Sequence, residues 1–144
     1  MSSACQVDFY VLKSPALDAR QLACRLALMA WERGHRITVT TASEADASAL
    51  NELMWANPSG RFLPHEITTP GQPALAPIRI AQLADLKEAD VVINLCPQPV
   101  PEPGRFTRLL EIVPPAGPGL EASREKFRYY RDQGITPQSH DIKQ

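Results

Sequence analysis

No apolar run in this 144-residue chain approaches the ~20 residues needed to cross a bilayer. Met1 to Gln6 also lacks the charged and apolar regions of a secretory signal. A cytoplasmic protein without membrane contact is therefore expected. Cysteine is sparse: Cys5, Cys24 and Cys96 are odd in number, widely spaced and set among apolar residues, which argues against a disulfide framework and suits a reducing compartment. Glycine is scarce where it would matter most. The first strand-to-helix turn reads Lys13-Ser-Pro-Ala-Leu-Asp18, and neither G-x-G-x-x-G nor G-x-x-x-x-G-K-S/T occurs, so no backbone cradle for a pyrophosphate is present.

Charge of one sign is missing too. Fifteen Lys and Arg against 16 Asp and Glu give a net charge of -1, whereas a duplex binder is usually far more basic, so nucleic-acid contact would need a local patch. His35, His65 and His140 have neither paired spacing nor Cys partners for zinc. Ser3, Ser14 and Ser43 lie in no G-x-S-x-G elbow. Cys96 ends an apolar run but is followed by Pro97 and Pro99, not by a helix N-terminus that would activate a thiol. Asp8, Asp90 and Glu111 read as solvated strand ends. No catalytic residue, metal or cofactor is expected, which favours a binding module over an enzyme.

What the chain does contain is an alternation of strand and helix signals. Gln6–Leu12 reads as a strand ended by Ser14-Pro15, and Asp18 with Gln21 reads as a capping box opening a helix with the stripe Leu22, Leu26, Met29 and Ala30, stopped at Gly34. Arg36 to Thr41 is a second strand, which makes a βαβ unit with parallel strands and a right-handed crossover. Ser43 with Asp46 opens a second helix running to about Trp55. From Asn57 to Pro77 periodicity gives way to a Pro- and Gly-punctuated loop carrying Phe62-Leu-Pro-His65. Further strands are expected at Ile78 to Ile80, at the continuous apolar run Asp90 to Leu95, and at Leu109 to Val113, with a last helix from Leu120 to Gln133. The length suits one domain. The expected fold is a single-domain α/β Rossmann-like sheet of about five mostly parallel strands over residues 1–144, with a polar tail fraying from about 136.

The last helix carries the densest chemistry. Leu120, Arg124, Phe127, Arg128 and Arg131 fall within an arc about 100° wide, a basic edge beside an aromatic one that suits an acidic, partly apolar partner. Leu120, Ser123, Phe127, Tyr130 and Gly134 equally form a stripe that would pack on the sheet, with Glu121, Glu125 and Asp132 pairing with the arginines. Trp55 and Phe62 suit either an interface or a core cap.

With these residues in place, the chain resembles the chi subunit of bacterial DNA polymerase III. The likeness rests on Phe9-Tyr10, Trp55, Phe62-Leu-Pro-His65, Asp90-Val-Val-Ile-Asn-Leu95, Phe106, Glu111-Ile-Val-Pro114, Arg124-Glu-Lys-Phe-Arg-Tyr-Tyr-Arg131 and Gly134. The resemblance implies a non-catalytic clamp-loader accessory subunit, held by the psi subunit and binding the acidic C-terminal tail of single-stranded-DNA-binding protein, with DNA reached only indirectly. It places the tail site on Val113, Arg124, Phe127, Arg128 and Arg131, and psi contact on Trp55, Phe62, Pro64 and His65. Phe127 stands where relatives can show Tyr, and Leu120 where they can show a basic residue. The competing classes are a direct single-stranded nucleic-acid binder and an α/β enzyme of unknown type.

Overall fold

β1 (Gln6–Leu12) alternates side chains to two buried faces, Val7 and Phe9 on one, Asp8, Tyr10 and Leu12 on the other. The computed structural model describes residues 5–56, 63–69, 71–72, 75–87 and 89–143. After β1 come α1 (Ala19–Glu32), β2 (Ile37–Thr41), α2 (Glu44–Ala56), β3 (His65–Ile67), β4 (Ile78–Gln82), β5 (Val91–Asn94), β6 (Arg108–Val113), α3 (Pro118–Asp132) and β7 (Gln138–Ile142). Asp18 caps α1 by accepting the Arg20 N–H at 2.9 Å, not that of Gln21 as a capping box would have it. Gly34, at φ 91°, supplies the left-handed turn that ends the helix. Ser43 Oγ accepts the Asp46 N–H at 3.1 Å at the start of α2.

All strands join one parallel sheet in the order β3-β4-β2-β5-β6-β1-β7. The α/β class is as expected, but the sheet has seven strands. β3 rises inside the stretch expected to be loop, and β7 replaces the tail expected to fray, its residues paired from Asp8↔Gln138 to Leu12↔Ile142. Both are edge strands, whose bonds come from a single neighbour and whose sequences, His-Glu-Ile and Gln-Ser-His-Asp-Ile, carry little alternation. β1 and β2 are parallel but not adjacent: β5 and β6 lie between them, so α1 crosses two strands.

Helices cover each face unevenly. α1 and α2 pack on Leu12, Ile37, Val39, Ile78, Ile80, Ile93, Leu110 and Ile112. On the other face Tyr130 of α3, with Val100 and Phe106 of the Pro-rich connection, packs on Val7, Phe9, Val92, Leu109 and Val113. Asp8 and Glu111, expected at solvated strand ends, are instead completely buried, on opposite faces. Each is held by side chains that come from elements distant in sequence. Asp90 is half-buried and accepts the Arg36 N–H at 2.9 Å.

Candidate partner-binding site

α3 begins at Gly117, whose φ of 90° turns the chain after β6, with Pro118 in the first turn where a missing N–H costs nothing. Gly119 then lies so close to β6 that a Cβ there would stand 2.6 Å from Pro114 Cγ. The helix lays Ser123, Lys126 and Tyr130 inward and leaves Arg124, Arg128 and Arg131 exposed. By helical geometry those three guanidinium groups share an arc about 60° wide.

The inward residues meet a polar core. Glu111 on β6 accepts Lys126 Nζ at 2.8 Å on Oε1, and Tyr130 Oη at 2.6 Å and Asn94 Nδ2 at 2.8 Å on Oε2. Asn94 in turn accepts the Thr40 hydroxyl at 2.7 Å and the Cys96 N–H at 3.0 Å, and Tyr130 accepts the Val100 N–H at 2.9 Å. Burial pushes the Glu111 carboxyl up, while the Lys126 ammonium and the hydroxyl and amide donors pull the other way. Burial and the neighbouring Glu111 push the Tyr130 phenol far up, so it remains a donor. This network was missed at the level of sequence; its only trace there is the polar residues set inside apolar runs, Asn94 in Val-Val-Ile-Asn and Glu111 in Leu-Leu-Glu-Ile.

The outward face is looser. Arg124 Nη1 lies 3.2 Å from Glu121 Oε2 and Arg128 Nη1 3.8 Å from Glu125 Oε2, all four side chains more than three-fifths exposed. Pairs of that kind are worth no more than about 1 kcal/mol and open readily to a competing anion. Arg131 makes no ion pair among the described residues. Phe127, half-buried, has its ring centroid 5.3 Å from that of Phe9, and it belongs to the apolar cluster that also contains the buried Val113. Of the expected apolar stripe, Ser123 and Tyr130 are buried and Leu120 and Phe127 half-buried, with Lys126 packed inward beside them, while the arginines face out.

At the β3 edge of the sheet, the Trp55 ring lies 4.8 Å from that of His65. Trp55 is 63% exposed, Ile67 of β3 and Leu75 are exposed too, and Glu66 of β3 accepts the backbone N–H groups of Leu75 and Ala76. His65 Nδ1 bonds the Leu63 carbonyl, while its Nε2 is buried without a partner among the described residues. Pro64 is half-buried beside it, and Phe62 lies outside the described residues.

The three cysteines are buried and free. Burial pushes the Cys96 thiol up, and Cys5 and Cys24 up to about 11, the reverse of what a nucleophile needs. Among the described residues no group of His, Cys, Asp or Glu is placed to hold a metal, and no helix is long and apolar enough to cross a membrane.

A seven-stranded parallel sheet that carries a helix with an exposed basic arc over β6, and the exposed Trp55 beside its β3 edge, defines an α/β domain of Rossmann-like architecture. In fold it is similar to a chain in the S. cerevisiae Dbp5 complex with Nup159, Gle1, IP6 and ADP, with a TM-score of 0.68 and 12% identity over 97% of this chain and 42% of that one. That likeness concerns the fold alone. The family model for the DNA polymerase III chi subunit, HolC, matches residues 5–138. DNA polymerase III subunit chi of Pseudomonas aeruginosa is 34% identical over 95% of this chain and 96% of its own length. The subunit of Haemophilus influenzae is 30% identical over 88% and 90%, and that of Escherichia coli 30% over 80% of each. The chain belongs to the DNA polymerase III chi subunit family, accessory subunits of a replicative polymerase.

Proposed function

We propose that this chain is a non-catalytic, cytoplasmic, single-domain adaptor of DNA replication that binds the acidic C-terminal tail of single-stranded-DNA-binding protein on α3 and β6, and the psi subunit at the β3 edge. The observation that carries the tail assignment is the division of labour on α3. Glu111, Lys126 and Tyr130 fix the helix against the sheet, so Arg124, Arg128 and Arg131 stand on one exposed arc beside the half-buried ring of Phe127. A tail ending in an apolar residue sets its ring near Phe127 and Val113, its terminal carboxylate on Arg124 and its acidic side chains along Arg128 and Arg131. The exposed Trp55, with Pro64 and His65 and an open strand edge, supports an apolar partner there, in keeping with interface anchors.

A peptide held in this manner reaches roughly micromolar affinity. In calorimetric titration with an acidic tail peptide, Arg124→Ala costs about 1.5 to 3 kcal/mol of binding and leaves the melting curve in place. Trp55→Ala leaves tail binding intact and weakens capture of psi. Unchanged peptide affinity in Arg124→Ala would refute the tail site, and unchanged psi capture in Trp55→Ala the second surface.

A further inference from the structure

Beside the C-terminal end of α1, the sheet face over the first residues of β6 and β1 and over β7 carries a polar cluster of Gln6, Asp8, Tyr10, Arg108 and His140. At its centre the fully buried carboxylate of Asp8 accepts Arg108 Nε at 2.9 Å and Gln6 Nε2 at 3.1 Å, and pairs with His140 Nε2 at 2.8 Å. Arg108 Nη2 also donates to the Tyr10 hydroxyl at 3.1 Å, and Arg33, at the C-cap of α1, lines the same cleft as both. Only Arg108 has a carboxylate; Arg33 makes no ion pair among the described residues.

A cleft of about 160 Å³ opens there between α1 and the sheet, lined by Tyr10, Arg33, His35 and Arg108 and by the apolar Leu26 and Leu110. His35 Nδ1 lies 4.0 Å from Asp90 Oδ2, so the cation of the cleft that faces no carboxylate among the described residues is Arg33. Tyr10 and His140 stack on each other, centroids 5.1 Å apart and rings within 26° of parallel, and the His140 side chain is 41% exposed. Two turns back along the solvent side of α1 stands Arg25, also without an ion pair among the described residues, with the exposed Met29 between it and Arg33.

We propose that this cleft is a subsite for single-stranded DNA, one phosphate resting on Arg33 and Arg108 and a base lying against the Tyr10–His140 stack. A guanidinium group without a carboxylate partner, set beside an aromatic face and a second guanidinium, is the combination that single-strand binders use, with sequence-independent stacking and an electrostatic track. An acidic peptide would satisfy the cations but leave the ring platform without a partner, which is why nucleic acid is favoured. With a net charge of -1 the rest of the chain adds no attraction, so the contact is weak and confined to about two phosphates. The proposal is independent of the tail site, which lies on the other face of the sheet.

The test is fluorescence anisotropy of a labelled oligo-dT titrated with the full chain across a salt series. Binding is expected at low salt, with a log-log salt slope of about -1.4, the single-strand value for two phosphate contacts. Arg33→Gln and Arg25→Gln, both exposed and outside the Asp8 network, should each weaken binding about fivefold or more with unchanged melting and unchanged tail-peptide affinity. Arg124→Ala should leave oligonucleotide binding as it was. Absence of binding at low salt, wild-type binding in both Gln variants, or loss in Arg124→Ala would overturn the proposal. Loss of acidic-peptide binding in Arg33→Gln would do the same, by assigning the cleft to a peptide.

Discussion

Among single residues, Glu111 and Lys126 differ most from their surroundings, because each is a charge almost completely buried, 1% and 5% exposed, and each depends on the other. Removing one partner strands the other, whereas removing both costs much less. Lys126→Met should therefore lower unfolding free energy by about 3 to 5 kcal/mol, and the double variant Lys126→Met with Glu111→Gln should recover most of it in urea melts; a double variant as unstable as the single would contradict the pairing. Asp8 adds a pH dependence. Burial pushes its carboxyl up, but the bonds from His140 and Arg108 more than offset that and hold it below the usual range. A depressed carboxyl contributes fully above the unfolded value near ~3.9, and that contribution drains away as pH falls through the lower folded value. Comparing wild type with Asp8→Asn, the stability difference should be constant at neutral pH and shrink below about pH 4. A difference that stays constant down to acid would mean that the folded carboxyl is not depressed.

Among elements, those with internal signals were legible in the sequence. α1 carried its own N-cap, although of the expected stripe only Leu22 is buried and Met29 is exposed, the buried face running instead through Leu22, Ala23, Ala27 and Leu28. β5 carried its continuous apolar run, and the helix and strand that bear the arginines and Val113 were placed within a residue or two. What failed were β3 and β7, because their pairing belongs to β4 and β1 and not to their own residues. The polar network under α3 failed for the same reason, since Lys126 meets Glu111 only once the helix has docked. The docking itself has a sharp local requirement at Gly119, where any side chain would meet Pro114 within 2.6 Å. Gly119→Ala gains helix propensity yet forces α3 off the strand, so a net loss of about 1 to 3 kcal/mol is expected, together with weaker tail-peptide binding as the arginines shift relative to Val113. A thermally neutral Gly119→Ala with wild-type peptide affinity would show that the approach relaxes freely.

For the molecule as a whole, the consequence of the strand order is that β1, the first strand made, is sealed into the sheet by β7, the last. β7 brings His140 to Asp8 and Tyr10, and through Lys13 N–H to the Ile142 carbonyl at 2.9 Å it closes the far end of β1 as well. Removing residues 137–143 would therefore do more than shorten a tail. It would turn β1 into an edge, with unpaired backbone groups and the apolar Leu12 uncovered on one side, and an open edge of that kind recruits other chains. Such a truncated protein should keep most of its helix signal, melt at a lower temperature and associate in multi-angle light scattering, the association growing with concentration. The proposed tail-peptide site on α3, fixed through β6 and not through β7, should bind normally in whatever fraction stays monomeric. A truncated chain that is monomeric and as stable as the full one would show that β7 is an ornament of the edge, and that β1 is held by β6 alone.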